Sequence, residues 1–379
     1  MHLNKLFISS LCAIGSVGTS AAPQRPAQFV LLAFDNCQEN QSWRQVSEFL
    51  EEMNARKSDN LRFTFFLSAV GLVTNQAKTA YLPPDRPAGR SNINFGGSQA
   101  EVLERIAHIN TLHARGNEIA SHAVGHFDGS QWGPREWRHE MEQYNRIIDK
   151  TAEVNGFTGD VADRARLRFK SSSLMGFRAP YLAGPAALID TLAGLNYAYD
   201  TSDTNQGGDP RTWPRRYKLS GGRPGPWNFG LGFINVPGIT DSAGRALKIP
   251  AMDYNFCYRQ DKGCPEKYPD TLRTIERDSY NMLSAYLNYF VTNYNGNRAP
   301  VHIGHHFQQY RGGYYNRALM RFARTVCSLP EVRCTTYAEL TKFMNGTSDS
   351  ERADYQRALF DKASYRPTLD ELLKKSESH

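Results

Sequence analysis

The stretch Phe29-Val30-Leu31-Leu32-Ala33-Phe34-Asp35-Asn36 is a short apolar run that ends in two polar side chains. Phe29 to Phe34 reads as a first strand, and Trp43 to Arg56, of helical period, reads as the helix that follows it. The alternation then repeats. Phe63 to Leu67 is the next strand, a Pro/Gly-rich loop covers Leu82 to Gly97, and a helix is expected near Glu101 to Arg115. Further strands are expected at Glu118 to Ala120, around Phe177, and at Tyr197 to Tyr199, Val301 to Gly304 and Arg333 to Thr336. Helices are expected at about Pro134 to Lys150, Pro185 to Leu195, Asp270 to Asn293, Arg317 to Ser328 and Tyr337 to Asn345. Strands alternating with helices predict an α/β fold with a largely parallel sheet.

Polar and ionisable residues gather where these strands end: Asp35 and Asn36, His122 and His126, Arg178, Asp200, and His305 with His306. In parallel α/β barrels the C-terminal ends of the strands carry the site, so this placement is that of an active centre. His122 and His126 stand four apart. On one helical turn both imidazoles would share a face and reach a single metal ion. The segment from Gly207 to Gly238, with Trp213 and Trp227, reads as a long loop excursion suited to shaping a substrate groove.

Bulk properties narrow the address and the partners. Lys5, the apolar stretch Leu6 to Val17 and the small residues Gly18 to Ala21 have the form of an export signal, which leaves 22–346 as one domain and 347–379 as a charged tail. No later segment is apolar for long enough to span a bilayer. Cys257 with Cys264 and Cys327 with Cys334 is the economical disulfide pairing in an exported chain, other pairings remaining open; the spacings are wide for structural zinc. The formal charge of +7, reduced to +6 when Lys5 leaves, favours an anionic envelope or cell-wall polymer. The basic residues are dispersed and no nucleic-acid motif is present, which argues against nucleic acid as a partner.

Five motifs occur in a fixed order: Ala33-Phe34-Asp35-Asn36-Cys37, His122 with His126, Phe177-Arg178-Ala179-Pro180-Tyr181, Asp200-Thr201-Ser202 and Ile303-Gly304-His305-His306. In this order they resemble the NodB-homology motifs of polysaccharide deacetylases, the fourth carbohydrate esterase family, with coverage from about Gln28 to Met344. Trp213-Pro214, the segment from Cys257 to Cys264-Pro265 and the run after His306 are similar to insect-type chitin deacetylases and predatory-bacterial peptidoglycan deacetylases. The resemblance implies a distorted (β/α) barrel that removes acetyl groups from N-acetylhexosamine units with a divalent metal, zinc or another such as cobalt.

Residue by residue, the resemblance implies Asp35 as catalytic base, Arg178 as the cation that holds it, and Tyr181 as the backbone N–H donor to the oxyanion. Asp200 would support the catalytic acid. Trp213 would wall the sugar, Ile303 would line the acetyl methyl pocket, and His122, His126 and residue 36 would hold the metal. Amide hydrolysis needs these parts, because a poor electrophile requires a Lewis acid, a base for water and an acid for the leaving amine. Two histidines compete as that acid. His306 fits the insect-type spacing and is preferred, while His305 fits the shorter bacterial spacing; strand alternation sends only one of them into the site. Asn36 departs from the family's aspartate, and a neutral amide predicts a lower-affinity metal site. Cys37 replaces a usual glycine and is either a soft ligand or a buried thiol. The function expected is a secreted or periplasmic N-deacetylase of peptidoglycan N-acetylglucosamine. Chitin or chitooligosaccharide is the alternative substrate, and a wall-binding pseudoenzyme, motivated by Asn36, is the alternative class.

Overall fold

The computed structural model describes residues 24–55, 61–184, 186–204, 208–260, 264 and 271–378. The export-signal reading lies outside them. The strands are β1 (Gln28–Asn36), β2 (Thr64–Leu67), β3 (Glu118–Ser121), β4 (Gly176–Phe177), β5 (Tyr199–Asp200), β6 (Arg215–Lys218), β7 (Pro224–Asn228), β8 (Phe233–Thr240), β9 (Ala246–Pro250), β10 (Val301–His306) and β11 (Val332–Thr335). The main sheet runs β10-β1-β2-β3-β4-β5-β7-β6, with β11 also on β1. Every pairing in it is parallel except β6 with β7.

The helices are α1 (Asn40–Ala55), α2 (Gln99–Ala114), α3 (Pro134–Asp149), α4 (Thr151–Val154), α5 (Gly159–Arg164), α6 (Ala186–Gly194), α7 (Asp253–Gln260), α8 (Leu272–Asn295), α9 (Tyr314–Val326), α10 (Tyr337–Gly346), α11 (Asp349–Gln356) and α12 (Leu369–Glu377). Their starts follow from local chemistry. At α2, Ser98 Oγ accepts from Glu101 N at 3.3 Å while Glu101 Oε2 accepts from Ser98 N at 2.7 Å, a reciprocal cap for two otherwise orphaned donors. α1 buries Trp43, Val46, Phe49, Leu50 and Met53 at helical spacing against the sheet.

Strand β1 is buried along its whole length, and its alternation sorts the core. Val30, Leu32 and Phe34 face the helices in one cluster; Phe29, Leu31 and Ala33 face a second cluster with Phe66, Ala120, Tyr199, Phe229 and Tyr337. Burial on both faces is what a parallel strand between two layers requires. The sheet therefore curls around an interior of its own, the distorted (β/α) barrel expected from the sequence. Asp35 continues the inward register of Phe29, Leu31 and Ala33, so its carboxylate enters at the C-terminal mouth.

Two sequence-based expectations change here. Residues 208–238 do not form a plain loop: β6 and β7 extend the main sheet and β8 pairs with β9. Trp213 does not wall a groove. It is 4 % exposed, its indole Nε1 donates to Asn297 O at 2.9 Å, and its ring lies 5.1 Å from Tyr355. Asn297 precedes β10, which puts Trp213 at the end of the barrel away from Asp35. The indole is held there by α11, which the sequence reading treated as part of a charged tail. Tyr355 on α11 and Leu372 on α12 are both buried, so 349–377 docks on the barrel through a few apolar anchors among many charges. Cys257 bonds Cys264 and Cys327 bonds Cys334, the economical pairing. No helix among the described residues is long and apolar enough to cross a membrane.

Candidate active site

Asp35, at the tip of β1, is 2 % exposed and accepts from Arg178 Nη1 at 2.6 Å. Arg178 is fully buried and tied down on every side: Nε donates to Thr201 Oγ1 at 2.7 Å, Nη2 reaches Tyr337 Oη at 3.3 Å, and the guanidinium lies 4.2 Å from the Phe66 ring. Burial pushes the Asp35 carboxyl up, but the Arg178 guanidinium first, with His306 beside it, outweighs it and holds the group below its ordinary value. For Arg178 burial pulls down, and Asp35 outweighs it, leaving the guanidinium raised. The pair is ionised in both directions of reasoning.

His122 and His126 meet, but not on a helical turn. His122 follows β3, donating its backbone N–H to Leu67 O at 2.9 Å, and the chain then turns through Ala123 and His126, both with positive φ, 56° and 54°. A buried carboxylate holds this loop closed, because Glu140 Oε1 accepts from Val124 N and Gly125 N at 2.9 and 3.2 Å. Loop N–H groups that a helix would have used internally are satisfied by Glu140 instead. The two imidazole centroids end 5.1 Å apart.

These rings fit a metal ion by their unpaired atoms. His122 Nδ1 lies 2.7 Å from Arg178 O, and a carbonyl only accepts, so Nδ1 carries the proton and Nε2 the lone pair. His122 Nε2 and His126 Nδ1 are both buried with no hydrogen-bond partner. Burial keeps both rings neutral, pulling His122 to about 4 and His126 to about 3. Neutral imidazoles with free lone pairs are metal-ligand chemistry. Asn36, the third donor expected from the sequence, is 9 % exposed, its Oδ1 accepts from Ser68 Oγ at 3.2 Å, and it would offer only a neutral amide oxygen. Among the described residues no group of three or more His, Cys, Asp or Glu side chains is disposed to hold a metal. Cys37 does not join the set. It is buried in the outer core, its thiol donates to Phe34 O at 3.3 Å, and burial pushes that thiol well up, away from thiolate. Asn36 and Cys37 both have positive φ, 65° and 58°, a conformation that glycine adopts most readily.

Strand register separates the two histidines of β10. Asp35 pairs with His306 and Phe34 pairs with His305. His306 thus shares the inward face with Asp35, and its side chain keeps 13 % exposure. His305 is enclosed, with Asn316 Oδ1 at 3.0 Å and Tyr286 Oη at 3.1 Å on its two nitrogens. Ile303 has the parity of His305 and is packed in the outer core, so it cannot line a pocket at the mouth. His302, on the inward side, is stacked on Tyr337 and Phe229.

The residue that holds His306 escaped the sequence reading. Asp253, at the start of α7 and fully buried, accepts from His306 Nδ1 at 2.7 Å and from His306 N at 2.9 Å. Burial lowers the imidazole, and Asp253 outweighs it, so the ring is raised above its ordinary value. Asp200, expected to support the acid, makes other bonds. It accepts from Ser202 Oγ at 2.5 Å, Ser202 N at 3.0 Å and Tyr217 Oη at 3.0 Å, and burial raises it to about 6. Ser202 Oγ in turn accepts from Ala179 N at 2.7 Å. Asp200 therefore fixes the Arg178-to-Tyr181 loop from behind. Tyr181, with φ 58°, stands 61 % exposed with its ring 5.0 Å from that of His126. The one sequence sign of Asp253 was its position just ahead of Cys257, where an aspartate reads as a helix start.

Residues 22–158 match the model of the polysaccharide deacetylase family. The segment contains Asp35, Asn36, His122 and His126 but not Arg178 or His306. Among solved structures, a Mycobacterium smegmatis protein assigned to the polysaccharide deacetylases is 15 % identical, covers 92 % of this chain and 98 % of its own, and gives a TM-score of 0.49. The Xyl-CE4 domain of a multidomain xylanase from the hindgut metagenome of Trinervitermes trinervoides is 14 % identical, with coverage of 85 % and 93 % and a TM-score of 0.41. No curated protein sequence matches the chain.

Proposed function

We propose that the protein is an exported, metal-dependent N-deacetylase that removes acetyl groups from N-acetylglucosamine units of peptidoglycan. The observation that carries the reading is the cross-strand pair of an ionised Asp35 and a raised His306, beside two neutral imidazoles with unpaired buried nitrogens. A base and an acid with opposed shifts on one strand-end face are what amide hydrolysis requires. The two disulfides support an address outside the cytoplasm.

In this reading Asp35 takes a proton from water as its oxygen bonds to the acetyl carbonyl carbon. His306 then donates the Nε2 proton to the amine nitrogen as the C–N bond breaks, and acetate and the free amine leave. Asp253 keeps His306 oriented and protonated, and the Tyr181 loop supplies backbone donors for the oxyanion. His122, His126 and Asn36 would hold a divalent cation such as zinc or cobalt, which when bound supplies Lewis acidity toward the carbonyl. Acetate release from defined peptidoglycan fragments and from chitooligomers, with zinc or cobalt supplied, tests the activity and ranks the two substrates. Release from neither sinks it.

The pH profile follows from His306. The acid form persists above the ordinary imidazole range and is lost as pH rises through the raised value, so kcat/KM falls on the alkaline side. Asp253→Asn removes the charge that opposes burial, and the alkaline limb is expected to move to lower pH. A limb that stays in place in the variant assigns the acid elsewhere.

One observation favours a wall-binding pseudoenzyme instead: Asn36 leaves the metal without a carboxylate ligand. Asn36→Asp adds a charge to the donor set and is expected to tighten zinc binding by about tenfold or more, measured by competition with a chelating dye. Wild type that stays silent with saturating metal, while Asn36→Asp releases acetate, decides for the pseudoenzyme.

A further inference from the structure

Helix α7 presents two unlike faces. Asp253, Phe256 and Cys257 are buried, whereas Tyr254 and Tyr258 are 43 % and 49 % exposed. The two tyrosines stand at i and i+4, on one side of the helix, with ring centroids 6.1 Å apart. This aromatic face is continuous with the reaction centre. The Tyr254 ring lies 6.4 Å from His306 and 6.3 Å from Tyr310, which is itself 6.0 Å from His306. Tyr181, also exposed, has its ring 5.0 Å from that of His126.

The face is also held in register with the chemistry. Asp253, adjacent to Tyr254, grips the His306 ring and backbone, and Cys257, adjacent to Tyr258, is tied to Cys264. Exposed aromatic patches of this kind mark contact surfaces, and tyrosine offers a large rigid area at low entropic cost. A pyranose ring presents a C–H face that packs on such a surface, while its hydroxyls stay solvated.

We propose that Tyr254 and Tyr258 form a stacking platform for the aminosugar units next to the one being deacetylated. The inference rests on the deacetylase reading of His306, and it commits to a β-1,4-linked aminosugar chain as the occupant. Steady-state acetate release is measured for wild type, Tyr254→Ala, Tyr258→Ala and Tyr258→Phe on N-acetylglucosamine oligomers of increasing length with zinc, alongside retention of metal-free protein on immobilised polymer. The ratio of kcat/KM for the longest to the shortest oligomer is expected to fall by about tenfold in Tyr258→Ala, mainly through KM. Tyr258→Phe keeps the ring and restores the ratio. An unaltered ratio in both alanine variants overturns the platform. If wild type releases no acetate, the deacetylase reading fails by itself and retention decides: alanine variants held as firmly as wild type overturn the platform too.

Discussion

Asp35→Asn is expected to lower acetate release by about 10²- to 10⁴-fold, the range over which a positioned base acts. The substitution keeps an oxygen that can accept from Arg178 Nη1, so the 2.6 Å contact survives in kind while the basicity is lost. The loss should therefore fall in kcat with KM little changed, while the unfolding midpoint drops because the buried Arg178 cation loses its counter-charge. Single-turnover acetate release with a parallel denaturant titration measures both. A variant that keeps wild-type turnover removes Asp35 from the chemistry, whatever its burial and partner. Zinc affinity belongs in the same experiment, since Asn36 is the next residue and a displaced loop would show as weaker metal binding.

Arg178→Met is expected to destabilise the protein by about 3–5 kcal/mol, because it strands a carboxylate in the barrel with its counter-charge gone. Arg178 is the larger lever of the two in stability. It is fully buried, and its guanidinium also bonds Thr201 and Tyr337 and lies against Phe66. Without it burial dominates Asp35 and drives the carboxyl upward, so the base is protonated at a pH where wild type is ionised. The sign of the pH dependence follows. In wild type the depressed Asp35 contributes stability above its unfolded value, and that contribution is lost as pH falls through the folded value. In Arg178→Met the acid-side loss disappears because there is no ionised pair to lose. Asp35→Asn combined with Arg178→Met should recover part of the deficit, and a double-mutant cycle with no coupling would show that the two groups do not act as a pair.

Particular elements show how far one-dimensional reading reached. β1, β2, β3, β10 and β11 lie within two residues of their expected bounds because each is an apolar run with a clear stop. β6 and β7 were hidden: Arg215–Lys218 is mostly exposed and β7 carries Pro224 and Gly225, so neither has the pattern of a core strand. An indole among glycines and prolines reads as loop chemistry, so the sequence places Trp213 in a groove. Its burial depends on Tyr355, which lies more than a hundred residues later in the chain.

The same division runs through the candidate centre. Which residues gather at the strand ends, namely Asp35, Asn36, His122, His126, Arg178 and the histidines of β10, is legible in local order alone, since each sits where a strand ends or just beyond. How their side chains meet is not. The choice of His306 over His305 follows from register against β1, the backing of that ring by Asp253 follows from where α7 packs, and the turn joining His122 to His126 follows from Glu140 reaching in from α3. Chain order dictates strand ends through short-range hydrophobic pattern, but hydrogen-bond partners and facing side chains come from segments far apart in sequence, and only packing brings those together.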